Sequence, residues 1–351
     1  MKNKISVLIT DDSLLFRNIL ENELNNDSHI EVIDTAVDPI DAMEKIKALN
    51  PDILTLDVEM PKMDGLTFLK KIMAEHPMKV VLVSSMNISV FEALNLGAVD
   101  FVKKPDMSSD SDLQSFIKEL KTKIKVASIA KLVTFKSPKK QETSNSNIAI
   151  KDKNQTLKPI IPTNKIIAIG ASTGGTEATL KVIKELPKNF PPILITQHMP
   201  AGFTKMYAER LNRICNMEVR EAVHGDRVKS GIALVAPGEK QMVLKKDSEG
   251  YYVDCRNAEK VNGHSPSVDV LFNSVAEIAG KKAVGIILTG MGKDGAAGLL
   301  NMKKAGAYTI GQDEKTSVVY GMPMVSFNIG AVMVQAPIEE VSEVLTKHLA
   351  R

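Results

Sequence analysis

The sequence predicts two α/β domains in tandem, each a parallel sheet with helices on both faces. Three observations predict it. Short β-branched runs alternate with amphipathic helical patterns up to about residue 125, a stretch rich in Ser, Asn, Lys and Pro then interrupts them, and the alternation resumes near residue 164. Strands joined by helical crossovers pair in parallel and are buried on both faces, so they read as continuous apolar runs.

In the first domain, expected over residues 1–125, strands are predicted at Ile5–Ile9, Ile30–Ala36, Ile53–Leu56, Val80–Val83 and Val99–Val102. Helical patterns lie between them near Leu14–Leu24, Asp41–Ala48, Leu66–Glu75 and Val90–Leu96, and a last helix starts near Asp112. Residues 126–163 are expected to form a flexible linker, because they lack amphipathic periodicity. In the second domain, expected over 164–351, strands are predicted at Ile166–Ile169, Ile193–Thr196, Ala283–Leu288 and Tyr308–Ile310, with helices near Glu177–Leu186 and Glu339–His348. A polar, Gly-punctuated stretch from Val219 to Arg256 predicts shorter, partly antiparallel strands.

Composition narrows the function. The 351 residues suffice for two cores, and 44% hydrophobic with 25% charged residues describes a globular chain. No apolar run approaches the roughly 20 residues of a membrane span, and MKNKISVLITDD reaches acidic residues before any signal-like stretch, so the expectation is a cytoplasmic protein without membrane insertion. Cys215 and Cys255 fit no metal spacing and are expected to be inert thiols. The net charge of +3 comes from the linker, where six lysines between Lys136 and Pro162 against Glu142 and Asp152 leave the rest of the chain slightly acidic. With no basic stripe or helix-turn-helix pattern, nucleic acid is not an expected partner.

In parallel α/β sheets, ligands bind beyond the carboxyl ends of the strands. Asp11 and Asp12 follow the first predicted strand, Asp57 the third, Ser84 the fourth and Lys104 the fifth, so the five should converge at one edge. Clustered carboxylates call for a cation, and an all-oxygen set suits Mg²⁺. Lys104 supplies a compact charge for a phosphoryl oxygen, Ser84 a hydroxyl, and Asp57 a nucleophilic carboxylate. Any one of these residues alone reads more readily as an ordinary cap or turn residue. The set, with Phe101 and Lys104-Pro105, closely resembles a two-component receiver domain over about residues 3–125. The resemblance implies a flavodoxin-like fold, Asp11, Asp12 and Asp57 as metal ligands, Asp57 as phosphoacceptor, and Ser84, Phe101 and Lys104 as switch residues. It also implies a cis Lys104–Pro105 bond.

In the second domain, Gly170-Ala-Ser172-Thr-Gly174 fits a Gly-x-Ser-x-Gly elbow that exposes a serine at a strand-to-helix turn. The free N–H groups of the helix that follows can stabilise an oxyanion. His198 follows the next strand and can act as base, and Asp294 follows a later strand and can orient the imidazole. A dinucleotide-binding loop is the alternative, but it wants an acidic residue at the second strand's end, where Gln197-His198-Met199 stands. His198 as a satisfied structural histidine is a second. A third, an ordinary α/β-hydrolase, has the order Ser, acid, His, whereas here it is Ser172, His198, Asp294.

The second domain closely resembles the catalytic domain of the chemotaxis protein-glutamate methylesterases over about 164–348. The matching strings are Ile169-Gly-Ala-Ser-Thr-Gly-Gly-Thr176, Gln197-His-Met-Pro-Ala-Gly-Phe203, Pro266-Ser-Val-Asp269 and Leu288-Thr-Gly-Met-Gly-Lys-Asp-Gly-Ala296. The resemblance implies a Rossmann-like domain with a few antiparallel strands, in which Ser172 is nucleophile, His198 base and acid, and Asp294 orienting acid. Backbone N–H groups near Thr173 and Met291 are the implied oxyanion donors. Ser265 stands where the family commonly has arginine, so substrate binding is expected to rest on groups such as Arg210 or His264. The whole implies a monomeric, phosphorylation-activated enzyme that hydrolyses glutamyl methyl esters and deamidates selected glutamines on methyl-accepting chemoreceptors. A chemotaxis histidine kinase is the expected phosphodonor, Mg²⁺ is expected for phosphorylation, and no cofactor is expected for ester hydrolysis. The rival reading is a non-catalytic response regulator whose second domain merely binds a partner or a nucleotide.

Overall fold

The computed structural model describes residues 4–60, 64–85, 89–105, 110–132 and 164–350. The first α/β domain runs β1 (Ile5–Thr10), α1 (Leu14–Asn25), β2 (Ile30–Ala36), α2 (Pro39–Leu49), β3 (Ile53–Asp57), α3 (Gly65–Glu75), β4 (Lys79–Ser84), α4 (Ser89–Leu96), β5 (Asp100–Lys103) and α5 (Asp110–Ile129). Its sheet has the order β2-β1-β3-β4-β5 with every pairing parallel. All of β3 is buried, as a central strand covered on both faces must be. Local signals set the helix ends. Asp38 accepts from Ile40 N–H at 3.0 Å and Asp41 N–H at 3.1 Å to start α2 beside Pro39, and Asn50 ends it in the left-handed region at φ 47°.

The second domain runs β6 (Ile166–Ala171), α6 (Gly175–Ile183), β7 (Ile193–Gln197), α7 (Phe203–Ile214), β8 (Glu218–Glu221), β9 (Ile232–Val235), β10 (Gln241–Asp247), β11 (Gly250–Arg256) and α8 (Val268–Ala279). It continues through β12 (Ala283–Ile287), α9 (Ala296–Lys304), β13 (Tyr308–Gln312), α10 (Met322–Asn328), β14 (Val334–Ala336) and α11 (Val341–Leu349). Its seven-stranded sheet has the order β14-β13-β12-β6-β7-β9-β8, parallel throughout. Of the stretch expected to be partly antiparallel, β10 and β11 form a separate antiparallel hairpin, while β8 and β9 join the main sheet in parallel. Strand β14, three residues long, had no sequence signal of its own.

The expected linker starts inside α5, which continues to Ile129 and buries Ala127, and Ala130 just beyond it is buried too. Its remainder, from residue 133, lies outside the described residues. The expected cis Lys104–Pro105 bond is not found: among the described residues the cis bond is Ser265–Pro266. X–Pro bonds favour trans by about 0.5–1 kcal/mol, and Lys104 N–H continues the strand pairing by donating to Ser84 O at 2.8 Å.

The domains touch through α4, β5 and α5 of the first and the β6–α6 turn and α7 of the second. Phe101 packs on Phe203 with ring centroids 4.6 Å apart, and Phe91 stacks on Tyr207 at 5.9 Å. Such aromatic pairs are worth about 0.5–1.5 kcal/mol each beyond the area they bury. Just past α5, Lys131 N–H donates to Val318 O at 2.9 Å and Lys131 Nζ to Glu314 O at 2.5 Å.

Candidate functional site

Strand β6 has β7 on one side and β12 on the other, so its carboxyl end lies at the point where the winding direction reverses. Ser172 follows β6, His198 follows β7 and Asp294 lies between β12 and α9. Neighbouring strands clamp the Ser172 turn. Ser172 N–H donates to Thr289 O at 3.0 Å, Thr289 Oγ1 donates to Thr173 O at 3.0 Å, and Gln197 Nε2 donates to Ser172 O at 2.9 Å. Gly174, at φ 76°, turns the chain into α6. Gly290 lies so close that a Cβ there would stand 2.7 Å from Ser172 Cβ. The Thr173 and Met291 N–H groups have no protein acceptor among the described residues.

His198 Nε2 lies 2.8 Å from Asp294 Oδ2. Its Nδ1 is buried and has no hydrogen-bond partner among the described residues, and no hydrogen bond links it to Ser172 Oγ. Asp294 also accepts from Ser267 Oγ and Asn262 Nδ2 at 2.8 Å each, and from Val268 N–H at 2.7 Å. It therefore sits on the amino end of α8, where free N–H groups favour an anion. Burial acts to raise its pKa, but the bond and charge of His198 and the bonds from Asn262 and Ser267 outweigh it and hold the carboxyl well below the usual range.

Three residues of this network escaped the functional reading of the sequence. Ser267 carried a usable signal, a serine directly before an apolar helical pattern. Asn262, at φ 54°, bridges Asp269 and Asp294, and Gln197 braces the turn; neither carried a local signal. Arg210 is buried and paired with Glu177 at 2.8 Å, so it is not free to meet substrate. His264 lies against His198, ring on ring.

The five predicted polar groups of the first domain converge as well. One carboxylate oxygen from each of Asp11, Asp12 and Asp57 lies within 4.8 Å of the others, a donor set that fits a hard divalent cation such as Mg²⁺. Lys104 Nζ reaches Asp11 Oδ2 and Asp57 Oδ2 at 2.7 Å each. Burial pushes the Asp57 carboxyl up to about 6 against the pull of Lys104 and of the Glu59 N–H bond. Ser84 Oγ is buried without a partner among the described residues, and Phe101 is buried in the domain contact.

A side-chain hydrogen bond crosses the domain contact next to Ser172. Thr173 Oγ1, on the residue after Ser172, donates a short hydrogen bond to Asp100 Oδ2 at the start of β5, and Lys123 Nζ on α5 donates to the same oxygen at 2.8 Å. Ser172, the residue before Thr173, is 7% exposed.

The family model for CheB methylesterase matches residues 167–345 and that for the response regulator receiver domain matches 7–118. The chain belongs to the CheB methylesterase family. A relative from Syntrophomonas wolfei, named protein-glutamate methylesterase/protein-glutamine glutaminase 2, is 51% identical across 98% of this chain and 97% of its own length. The Salmonella typhimurium protein-glutamate methylesterase/protein-glutamine glutaminase is 46% identical across 97% of this chain and 96% of its own. The crystal structure of the Thermotoga maritima CheB methylesterase catalytic domain superposes with a TM-score of 0.51 at 39% identity, covering 52% of this chain and 98% of that one. Among the described residues, no helix is long and apolar enough to cross a membrane.

Proposed function

We propose that the chain is a protein-glutamate methylesterase and protein-glutamine glutaminase acting on chemoreceptors, with Ser172, His198 and Asp294 as its triad and phosphorylation of Asp57 as its switch. The observation that carries the catalytic reading is His198. One ring nitrogen is fixed by an ionised carboxylate, the other is buried and unbonded, and the neighbouring paired strand ends at the Ser172 turn. Ser172 Oγ attacks the ester carbonyl carbon while its proton passes to His198 Nδ1. The resulting oxyanion accepts from the Thr173 and Met291 N–H groups. Collapse breaks the bond from the carbonyl carbon to the methoxy oxygen, or to the amide nitrogen of a glutamine, and His198 gives its proton to that leaving group, which departs as methanol or ammonia. A water activated by the same imidazole then hydrolyses the acyl-serine. That His198 Nδ1 has no hydrogen bond to Ser172 suits an enzyme without substrate, since such bonds tighten in the substrate complex.

The regulatory reading rests on the Asp100–Thr173 bond and the Phe101–Phe203 contact. The unphosphorylated receiver, residues 1–125, closes the catalytic edge of residues 164–351, and the linker 126–163 keeps it at a high, roughly millimolar effective concentration. Asp11, Asp12 and Asp57 would hold Mg²⁺, which supplies positive charge for phosphoryl transfer from a histidine kinase. Phosphorylation adds about −1.5 to −2 charges at Asp57, draws Ser84 and Lys104 inward, and lets Phe101 leave Phe203. The test is methanol release from methyl-labelled receptor fragment by the wild type and Ser172→Ala. Loss of nearly all release in the variant supports an esterase, whereas equal release by both proteins would remove Ser172 from the mechanism.

A further inference from the structure

We propose that His264 is a positioning residue for catalysis: its ring lies flat on His198 and fixes the imidazole plane so that Nδ1 faces the Ser172 hydroxyl. The proposal rests on the triad reading given above. The two rings are 3.6 Å apart between centroids and 8° from parallel. Asp294 holds the His198 ring at one atom, Nε2. A ring held at one atom can still tilt about that bond, and the side-chain torsion that sets its plane is intrinsically broad. A second plane stacked at contact distance removes that freedom.

His264 can do this because its own backbone is fixed. His264 N–H donates to Val261 O at 2.9 Å, and His264 O accepts from Val261 N–H and from Gln241 Nε2 at 3.0 Å each. The same turn contains Asn262, whose left-handed backbone and 2.8 Å bond to Asp294 Oδ1 orient the carboxylate. One short turn thus sets both constraints on the base, its hydrogen-bond acceptor and its stacking plane.

Charge supports the same role. Burial first, then the proximity of His198, pushes His264 down to about 4; Lys123 and Lys260 act in the same direction and Asp294 against it. His264 is therefore neutral at working pH and presents a π face to the imidazolium formed when His198 takes the serine proton. In this role His264 carries no proton and makes no bond to substrate.

The test uses the full chain activated by a small phosphodonor, with kcat and KM measured separately on methylated receptor fragment. Wild type, His264→Ala, His264→Phe and Ser172→Ala are compared, together with the thermal midpoint of each. His264→Ala should lower kcat by about 10- to 100-fold, the scale set by a misplacement near 1 Å, with KM little changed. His264→Phe keeps a flat ring without a ring nitrogen and should restore most of the rate. Wild-type kcat in His264→Ala overturns the proposal. So does a His264→Phe protein that folds but is as slow as His264→Ala with a raised KM, since His264 would then bind substrate through its nitrogen. A His264→Ala loss that disappears once rates are scaled to folded protein overturns it too. Full activity in Ser172→Ala would instead refute the triad reading, a separate failure.

Discussion

Replacing Asp100 with Asn should switch the unphosphorylated enzyme partly on. Asp100 Oδ2 accepts from Thr173 Oγ1 across the domain contact and from Lys123 Nζ at 2.8 Å, and the residue is 6% exposed. Asn keeps the size and an acceptor oxygen but removes the charge from both bonds. Hydrogen bonds to charged groups are worth about 1.5–3 kcal/mol against about 0.5–1.5 for neutral ones, so the closed state should lose about 1–2 kcal/mol of preference. At a tenfold change per 1.4 kcal/mol, that is about a 5- to 30-fold rise in basal activity. Activity of the phosphodonor-treated enzyme sets the ceiling. The assay is methanol release from methylated receptor fragment, with and without phosphodonor. The phosphorylated rate should stay near wild type, because the contact is already broken there. An unchanged basal rate, or equal losses in both states, would refute Asp100 as part of the closure.

The remaining predictions address the two sites and their pH dependence. His198→Ala should cost as much as Ser172→Ala, and Asp294→Ala less, on the order of 10⁴-fold in kcat, because the triad acts as a unit; near wild-type demethylation by His198→Ala would sink the assignment. Asp57→Asn should take up no phosphate, and wild-type uptake from a small phosphodonor should vanish on chelation of Mg²⁺; stable phosphate on the variant would move the acceptor elsewhere. The neutral His264 has a stability consequence. Its folded pKa, about 4, lies below the ordinary 6.5, so the unfolded chain binds more protons between those values. Its contribution is complete above about pH 6.5, falls by up to about 3 kcal/mol as pH drops to 4, and then levels off. Urea unfolding at pH 7 and pH 4.5 should show that loss in the wild type but not in His264→Phe; the same pH dependence in both would show that His264 is not the group responsible.

The parallel strands were legible because burial on both faces writes them as unbroken apolar runs, Ile53–Leu56 and Ile166–Ile169 being the plainest. Their carboxyl ends then located Asp11, Asp57, Lys104, Ser172, His198 and Asp294 at two edges, since topology fixes where such ends converge. What stayed hidden depends on contacts between distant segments. Nothing local to His264 or Asn262 tells that their turn folds back onto His198 and Asp294. Arg210 looked available because its partner Glu177 lies on another helix. Which strands of the 219–256 stretch pair antiparallel was not legible, because short, polar-flanked strands look alike whichever way they pair. Asp100 reads in sequence as an ordinary strand-end carboxylate, and its meaning comes from the domain packed against it.

The most direct test of the account is the rate of methanol release by the intact chain from methylated receptor fragment, before and after addition of a small phosphodonor with Mg²⁺. The account predicts a slow basal rate that rises about 5- to 150-fold on phosphorylation, the range of a 1–3 kcal/mol coupling. It also predicts no rise in Asp57→Asn and almost no methanol from Ser172→Ala in either state. An equal rate with and without phosphodonor, in a protein shown to carry phosphate on Asp57, would contradict it.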